Sequence, residues 1–479
     1  MKRLLVMALV SCALIGCSLG PKYSRPEVKS PENYRNPTGP ATPESVADVP
    51  WWVVFQDKVL QDLIREAIAN NYDLKTATSR VEEFRARAGI AKSFLYPTVN
   101  GTFNYQATQG SQNTVPPQVG DDRTSESWNY GFTLSWELDL FGRIRHEHDS
   151  ALAQFLATDQ ARTGVLITLV GDVAQAYFTL RGLDLELEIA HHTLEINDET
   201  LGYYKNRLEG GVSNKLEVNQ AEANRAITAA TIPDIERQIV QQENLISVLL
   251  GRNPGPIIRG TALEDAYVPP QIPSGIPSTL LERRPDIKEA EELLISSNAD
   301  VGAAKALFFP TINLAGFFGG SSHDLGDLFN GKSTVSSIGA GLFQPIFQGG
   351  RIKQNYEAQK ALFEQAVSQY HQVILNSFRE VDDSLIAIQK LKEVQVEQEK
   401  EVAARQDNAT LSRSRYDAGL ASYLEVLLND QDLFTVQLSL ARTRVAYLNA
   451  FVQLYRALGG GWQPEQATQP PQPQSQPSS

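Results

Sequence analysis

The sequence predicts a mainly α chain with a β-barrel portion, each protomer carrying four membrane strands and long helices in an internal duplication. Three observations carry the prediction. The chain repeats itself at a nearly fixed offset, alternating apolar and polar runs come in pairs, and two proline-free windows are far longer than an ordinary helix.

The repeat emerges when the chain is laid on itself. At an offset of 213, Asp73-Leu74-Lys75 falls on Asp286-Ile287-Lys288, and Tyr96-Pro97-Thr98-Val99-Asn100 on Phe309-Pro310-Thr311-Ile312-Asn313. The offset then becomes 208 and holds: Arg143-Ile144 meets Arg351-Ile352, Gly211 meets Gly419, Leu216-Glu217-Val218 meets Leu424-Glu425-Val426, and Leu250-Gly251 meets Leu458-Gly459. The copies occupy 57–251 and 281–461, with a Pro-rich linker at 252–280.

Residues 1–16 read as a signal peptide. Lys2 and Arg3 precede an apolar run, Leu4 to Ile15, too short to span a bilayer. The run ends in Leu14-Ile15-Gly16-Cys17, which resembles a bacterial lipobox. In that reading Cys17 is acylated on its sulfur and, after cleavage, on its amine, and several chains of the palmitate kind make a durable anchor. Ser18 implies, by lipoprotein sorting rules, the cell outer membrane with extension into the periplasm. Residues 17–56 are expected to be an extended, lipidated tether, and 462–479, rich in Gln, Pro and Ser, a disordered tail.

Each copy opens with a helical stretch, 57–95 or 281–308, ended by Pro97 or Pro310, since proline disfavours helix in the residue before it. Strands follow. Val99, Gly101, Phe103, Tyr105 and Ala107 alternate with Asn100, Thr102, Asn104 and Gln106; Trp128, Tyr130, Phe132, Leu134, Trp136 and Leu138 alternate with Asn129, Thr133, Ser135, Glu137 and Asp139. Long period-two runs with aromatics near their ends are the pattern of membrane strands. The second copy keeps it at Ile312, Leu314, Ile338, Ala340 and Leu342, and blurs it between Gly316 and Gly320. Helices at 143–209 and 351–417 follow, each about 100 Å long at 1.5 Å per residue. They stop at Gly210-Gly211 and Gly419, and shorter helices return to Leu250-Gly251 and Leu458-Gly459. Stacked on the first helix of its copy, each return helix is expected to form a composite partner for the long one.

Composition narrows the function. Without Lys2 and Arg3, 41 basic residues face 56 acidic ones, a net charge of −15, which excludes a nucleic-acid partner. With Cys12 in the signal, Cys17 is the one cysteine left, so thiol catalysis, internal disulfides and Cys-based metal sites are excluded. No phosphate-binding Gly loop, nucleophile elbow or HExxH motif is present. His146 with His148, and His191 with His192, are spaced for different helix faces and read as surface residues. The chain is not an enzyme. No helix is expected to cross a bilayer, so any crossing uses strands. Four strands cannot close a membrane barrel and open edges in lipid are costly, so several chains must share one. The polar set Asn100, Thr102, Asn104, Thr133, Ser135, Glu137 and Asp139 fits a wet lumen.

Nearly the whole mature chain also resembles the TolC-type outer-membrane efflux proteins, in their lipoprotein (OprM/NodT-like) branch. The stretches that carry the resemblance are Gly20-Pro21-Lys22-Tyr23-Ser24-Arg25-Pro26, Trp51-Trp52-Val53-Val54-Phe55, Glu282-Arg283-Arg284-Pro285-Asp286-Ile287, Phe347-Gln348-Gly349-Gly350-Arg351 and Leu458-Gly459-Gly460-Gly461-Trp462. The resemblance implies a homotrimer with a TolC-like α/β-barrel, docked to a periplasmic adaptor and an inner-membrane pump, commonly of the resistance-nodulation-division type. It implies no cofactor beyond the lipid on Cys17, and export of small molecules, with multidrug resistance as the phenotype. It also implies a periplasmic gate at the Gly turns, closed by acids and by a Tyr–acid hydrogen bond between hairpins. Carried over by position are Glu217, six after Gly211, and Tyr416, three before Gly419; the nearby acids Glu425 and Asp430 complete the expected gate set. An arginine that some members carry two after the second glycine is Ala421 here, and an aspartate position falls on Leu428. The outer-membrane duct of a type I protein secretion system is the alternative within the class; a stand-alone porin would need more strands, and a coiled-coil spacer lipoprotein would leave the strands unexplained.

Overall fold

The structure is a computed structural model, and it describes residues 19–36, 45–110, 124–266 and 275–460. Cys17, the signal peptide and the tail lie outside the described residues. The helices are α1 (Trp51–Val54), α2 (Lys58–Asn70), α3 (Tyr72–Ser93), α4 (Arg143–Glu209), α5 (Lys215–Leu249), α6 (Leu280–Arg283), α7 (Pro285–Ala306), α8 (Arg351–Asp417) and α9 (Tyr423–Ala457). The strands are β1 (Thr98–Gln109), β2 (Thr124–Leu138), β3 (Thr311–Ser322) and β4 (Thr334–Phe343). Both long helices, α4 and α8, run 67 residues and keep the bounds expected from the sequence. The chain forms two compact units, one of Met1–Glu27, Arg80–Asp159 and Glu289–His371, the other of Val28–Ser79, Gln160–Lys288 and Gln372–Ser479. Each unit therefore draws on both sequence copies.

The first unit holds an antiparallel sheet in the order β1-β2-β3-β4. Its middle pair joins the copies, with Phe132 opposite Phe318 and Trp136 opposite Leu314. Ladder partners share a face, so the register sorts the side chains. Val99, Phe103, Phe132, Leu134, Ile338 and Leu342 lie on one face, and Asn100, Thr102, Thr133 and Ser135 on the other. The edge strands β1 and β4 are exposed along their whole length. The blurred glycine run has a steric cause. Gly319 lies opposite Gly131, where a Cβ would sit 2.0 Å from the Tyr130 carbonyl oxygen. A Cβ on Gly131 would in turn meet the Phe317 ring at 2.5 Å.

Two acids of the expected lumen set, Glu137 and Asp139, are each tied to the start of α4. Glu137 pairs with Arg143 at 2.8 Å. The Asp139 carboxylate accepts from the backbone N–H of Ile144 and Arg145 at 3.2 and 2.9 Å, capping α4 where its amides lack partners. His146 is a second correction. It is half-buried against Gly20 and Gly302, and burial pushes its pKa down. The tether expectation also changes, because residues 19–27 are pinned by Tyr23, which donates to Glu291 at 3.2 Å, and by an Arg25–Glu291 ion pair.

In the second unit, Val46, Trp51, Val54 and Phe55 are core residues, so the end of the expected tether is folded. The Phe55 ring packs against Phe178 and Tyr455 at 6.4 and 6.0 Å. The first helix of each copy is not continuous. Asn71 leaves helical geometry at ψ 134° between α2 and α3, and Arg284 does so at ψ 123° before Pro285. These joints are where the composite helices meet. The Asn71 amide donates to Leu249 O at the end of α5 (3.0 Å), while its oxygen accepts from Leu74 N at the start of α3 (2.9 Å). In the second copy Arg284 donates to Ala457 O at 2.8 Å and pairs with Asp286. One 18-residue window of α4 reaches a mean hydropathy of 1.3, but 56% of it is buried within the protein, so this apolar stretch is used in packing.

Candidate gate at the helix turns

Both turns between long and return helices lie in the second unit. Gly211 (φ 71°) and Gly419 (φ 73°) adopt the left-handed conformation that ends a helix at no Cβ cost. Val212 N donates to Arg207 O and Leu420 N to Arg415 O, so both turns use the same closing bond. Asn214 caps α5 by accepting from Glu217 N at 3.0 Å.

Behind the turns the two hairpins share one small core of Leu201, Tyr204, Val218, Ala221, Tyr423 and Val426, with Tyr416 and Leu427 packed on it. Three tyrosines build its centre. Tyr204 lies 4.2 Å from Tyr423 and 5.7 Å from Tyr416, and the last two are 6.1 Å apart, all tilted or edge-on as ring quadrupoles prefer. Burial first, then a hydrogen bond with Tyr416, holds the Tyr204 phenol protonated far above the usual range. Burial and the Asp430 charge push Tyr423 up to about 12. Beside this core is a cleft of about 360 Å³ lined in part by Tyr203, Arg413, Tyr416 and Asp417.

The four expected gate residues all lie at these turns, in different roles. Tyr416 pairs with Tyr204, and among the described residues no hydrogen bond joins it to Glu217. Glu217 accepts from the Ser213 hydroxyl within its own turn. Glu425 pairs with Arg415 at 3.2 Å. Asp430 is not an acid free to face a lumen. Its side chain is 10% exposed, and one oxygen takes Arg413 at 2.9 Å while Oδ1 is buried without a hydrogen bond. Burial raises its pKa against the pull of Arg413.

The repeat explains the asymmetry. Arg207 and Glu217 are the counterparts of Arg415 and Glu425. In the second copy they form an ion pair. In the first, Ser213 holds Glu217, and the Arg207 guanidinium lies 5.4 Å from the Tyr203 ring and 5.6 Å from Tyr416. The counterpart of Ser213 is Ala421, which has no hydroxyl to compete. Tyr204, Tyr423, Arg207 and Arg413 were not singled out from the sequence. The aromatic pair Tyr203-Tyr204, about two turns before Gly211, was the signal that could have found the first of them.

Comparison with known proteins places this architecture. A family model described as outer membrane efflux protein matches residues 63–252 and 276–460. The chain is 37% identical over 481 residues to a protein of Pseudomonas putida strain KT2440 named "probable efflux pump outer membrane protein TtgC", covering 96% of each. It is 34% identical to the "cation efflux system protein CusC" of Escherichia coli, covering 95% of this chain and 98% of that one. The solved outer-membrane channel OprN superposes with a TM-score of 0.86 at 29% identity, over 94% of this chain and all of that one. With both halves matched and the sheet and long helices in their places, the chain belongs to the outer membrane efflux protein family and has the TolC-type channel fold.

Proposed function

We propose that this chain is the outer-membrane duct of a tripartite efflux system, held in the outer membrane by lipid on Cys17 and passing small molecules delivered by an inner-membrane pump. Three copies pool their strands into one pore and their helices into a tunnel across the periplasm, and a periplasmic adaptor joins the tunnel to a pump of the resistance-nodulation-division type. The observation that carries this reading is the four-stranded sheet with one apolar face and two exposed edges. A sheet of that kind is stable in lipid only when other chains complete it. Glu217, Tyr416, Glu425 and Asp430 are the proposed gate set: Tyr416 and Glu217 act directly on closure, while Glu425 and Asp430 hold their own hairpin together through Arg415 and Arg413.

Relatives carry names from antibiotic and toluene efflux to cation efflux. Such a spread on one duct architecture supports selection of cargo by the pump. The test is deletion in the native host followed by a panel of antibiotics, solvents and metal ions. Hypersensitivity is expected, restored by the intact chain, whose mature N-terminus should carry an acylated Cys17 by mass spectrometry. Unchanged sensitivities with loss of a secreted protein would replace this reading with a type I secretion duct.

A further inference from the structure

The β3–β4 connection is built to lie on the apolar face of the sheet. It runs through residues 323–333 and contains two single 3-10 turns, Leu325–Asp327 and Gly331–Ser333. Its own bonds set its shape, since the Ser333 hydroxyl donates to Asp327 O at 2.9 Å and Asn330 caps the second turn. It is also tied to β2, where His323 Nδ1 lies 2.6 Å from Glu126 O.

Two independent contacts fix which face it covers. The Phe329 ring lies 4.9 Å from Tyr130. A Cβ on Gly320, the ladder partner of Tyr130, would meet the Tyr130 ring at 2.5 Å and Leu328 O at 2.8 Å. Gly320 thus clears space for the loop backbone on the face that carries Phe103, Phe132, Phe318 and Ile338. Leu328 is the anchor, 1% exposed, while Phe329 beside it is 71% exposed and Leu325 is 49% exposed. A loop folded as a lid on the polar face would point these side chains the other way.

We propose that this connection is a membrane foot, with Phe329 and Leu325 inserted at the acyl–headgroup boundary of the leaflet that surrounds the strand ends. The occupant is lipid because the exposed Phe329 ring packs beside Tyr130 on the apolar face, and membrane strands carry girdles of aromatic side chains at the lipid boundary of their ends. The proposal rests on the reading of the apolar face as lipid-facing.

Spin labelling tests both separately. Cys12 and Cys17 are the only native cysteines, so Phe329→Cys adds one defined thiol, with the unsubstituted protein labelled in parallel as background. In proteoliposomes of the full chain, collision with oxygen should exceed collision with a water-soluble nickel chelate at 329, matching Ile338→Cys and opposite to Asp324→Cys. Leu325→Cys gives the same readout if the first variant does not assemble. A nickel-favoured signal at 329 and 325, with 338 still oxygen-favoured, would overturn the foot and leave the sheet reading standing. Low collision with both probes would also overturn it, by showing a protein neighbour in place of lipid. An Ile338→Cys label open to nickel would overturn the sheet reading itself.

Discussion

At the scale of single residues, the two copies hold the same arginine and glutamate at their turns and spend them differently. One hydroxyl, that of Ser213, decides this by occupying Glu217 and freeing Arg207 for the tyrosine rings. The hydroxyl of Tyr416 joins the second hairpin to Tyr204 of the first. Tyr416→Phe removes that link and Glu217→Gln removes the charge that acts on Tyr204 and Tyr423. Both should raise single-channel conductance in planar bilayers, and unchanged conductance would refute their place in the gate. Asp430 gives a pH prediction of definite sign. Its carboxyl has a higher pKa in the folded state than in the unfolded chain, so its contribution to stability is full below the ordinary carboxylate range and is lost as pH rises through the raised value. Asp430→Asn should therefore flatten the fall in melting temperature as pH rises above the ordinary carboxylate range. Arg413→Gln, which leaves a buried carboxylate with no partner, should cost about 1–3 kcal/mol at neutral pH; equal melting of both variants would reject the buried-pair account.

At the scale of elements, the sequence spoke clearly where one local rule governed. Proline-free windows with stops at Gly211 and Gly419 inside them located α4 and α8, because helix propensity and a left-handed stop are properties of neighbouring residues. Alternation located β1 and β2 for the same reason. It faded in β3 because Gly319 and Gly320 answer to Tyr130, which is distant in sequence, and Gly320 also to the Leu328 carbonyl of the following loop, so steric need overrode the pattern. The joint at Asn71 was hidden for a similar reason. In the second copy Pro285 marks the break, but in the first nothing local forbids helix, and the capping of α5 by the Asn71 amide shows only in three dimensions. The proposed gate set followed the same division. Positions counted from the glycines put Glu217, Tyr416, Glu425 and Asp430 at the turns, while the partners Tyr204 and Arg413 depended on how the hairpins pack. The partners of Glu137, Asp139 and His146 stayed hidden because a strand or helix period says which face a residue takes, not what meets it there.

At the scale of the whole molecule, the duplication forces association. Two hairpins give one sheet of four strands, joined across the copies by β2 and β3, with β1 and β4 left as edges of 12 and 10 residues. Every unpaired amide or carbonyl on those edges costs several kcal/mol in hydrocarbon, far more than a domain's net stability of about 5–15 kcal/mol when summed along a strand. Closure by two chains would give eight strands and an interior filled by side chains. The polar face here is lined by short residues such as Asn100, Thr102, Thr133 and Ser135, which cannot fill such an interior and suit water. Three chains are the smallest ring that fits them. A double variant with cysteines in place of Thr102 on β1 and Ser337 on β4, treated in outer-membrane vesicles with a long-armed bismaleimide, should give covalent species that stop at three chains. Either single variant should stop at two, since one reactive edge cannot propagate a ring. A double-variant ladder ending at two, or running past three, would mean that the edges meet in some other closure and that the pore is not built from twelve strands.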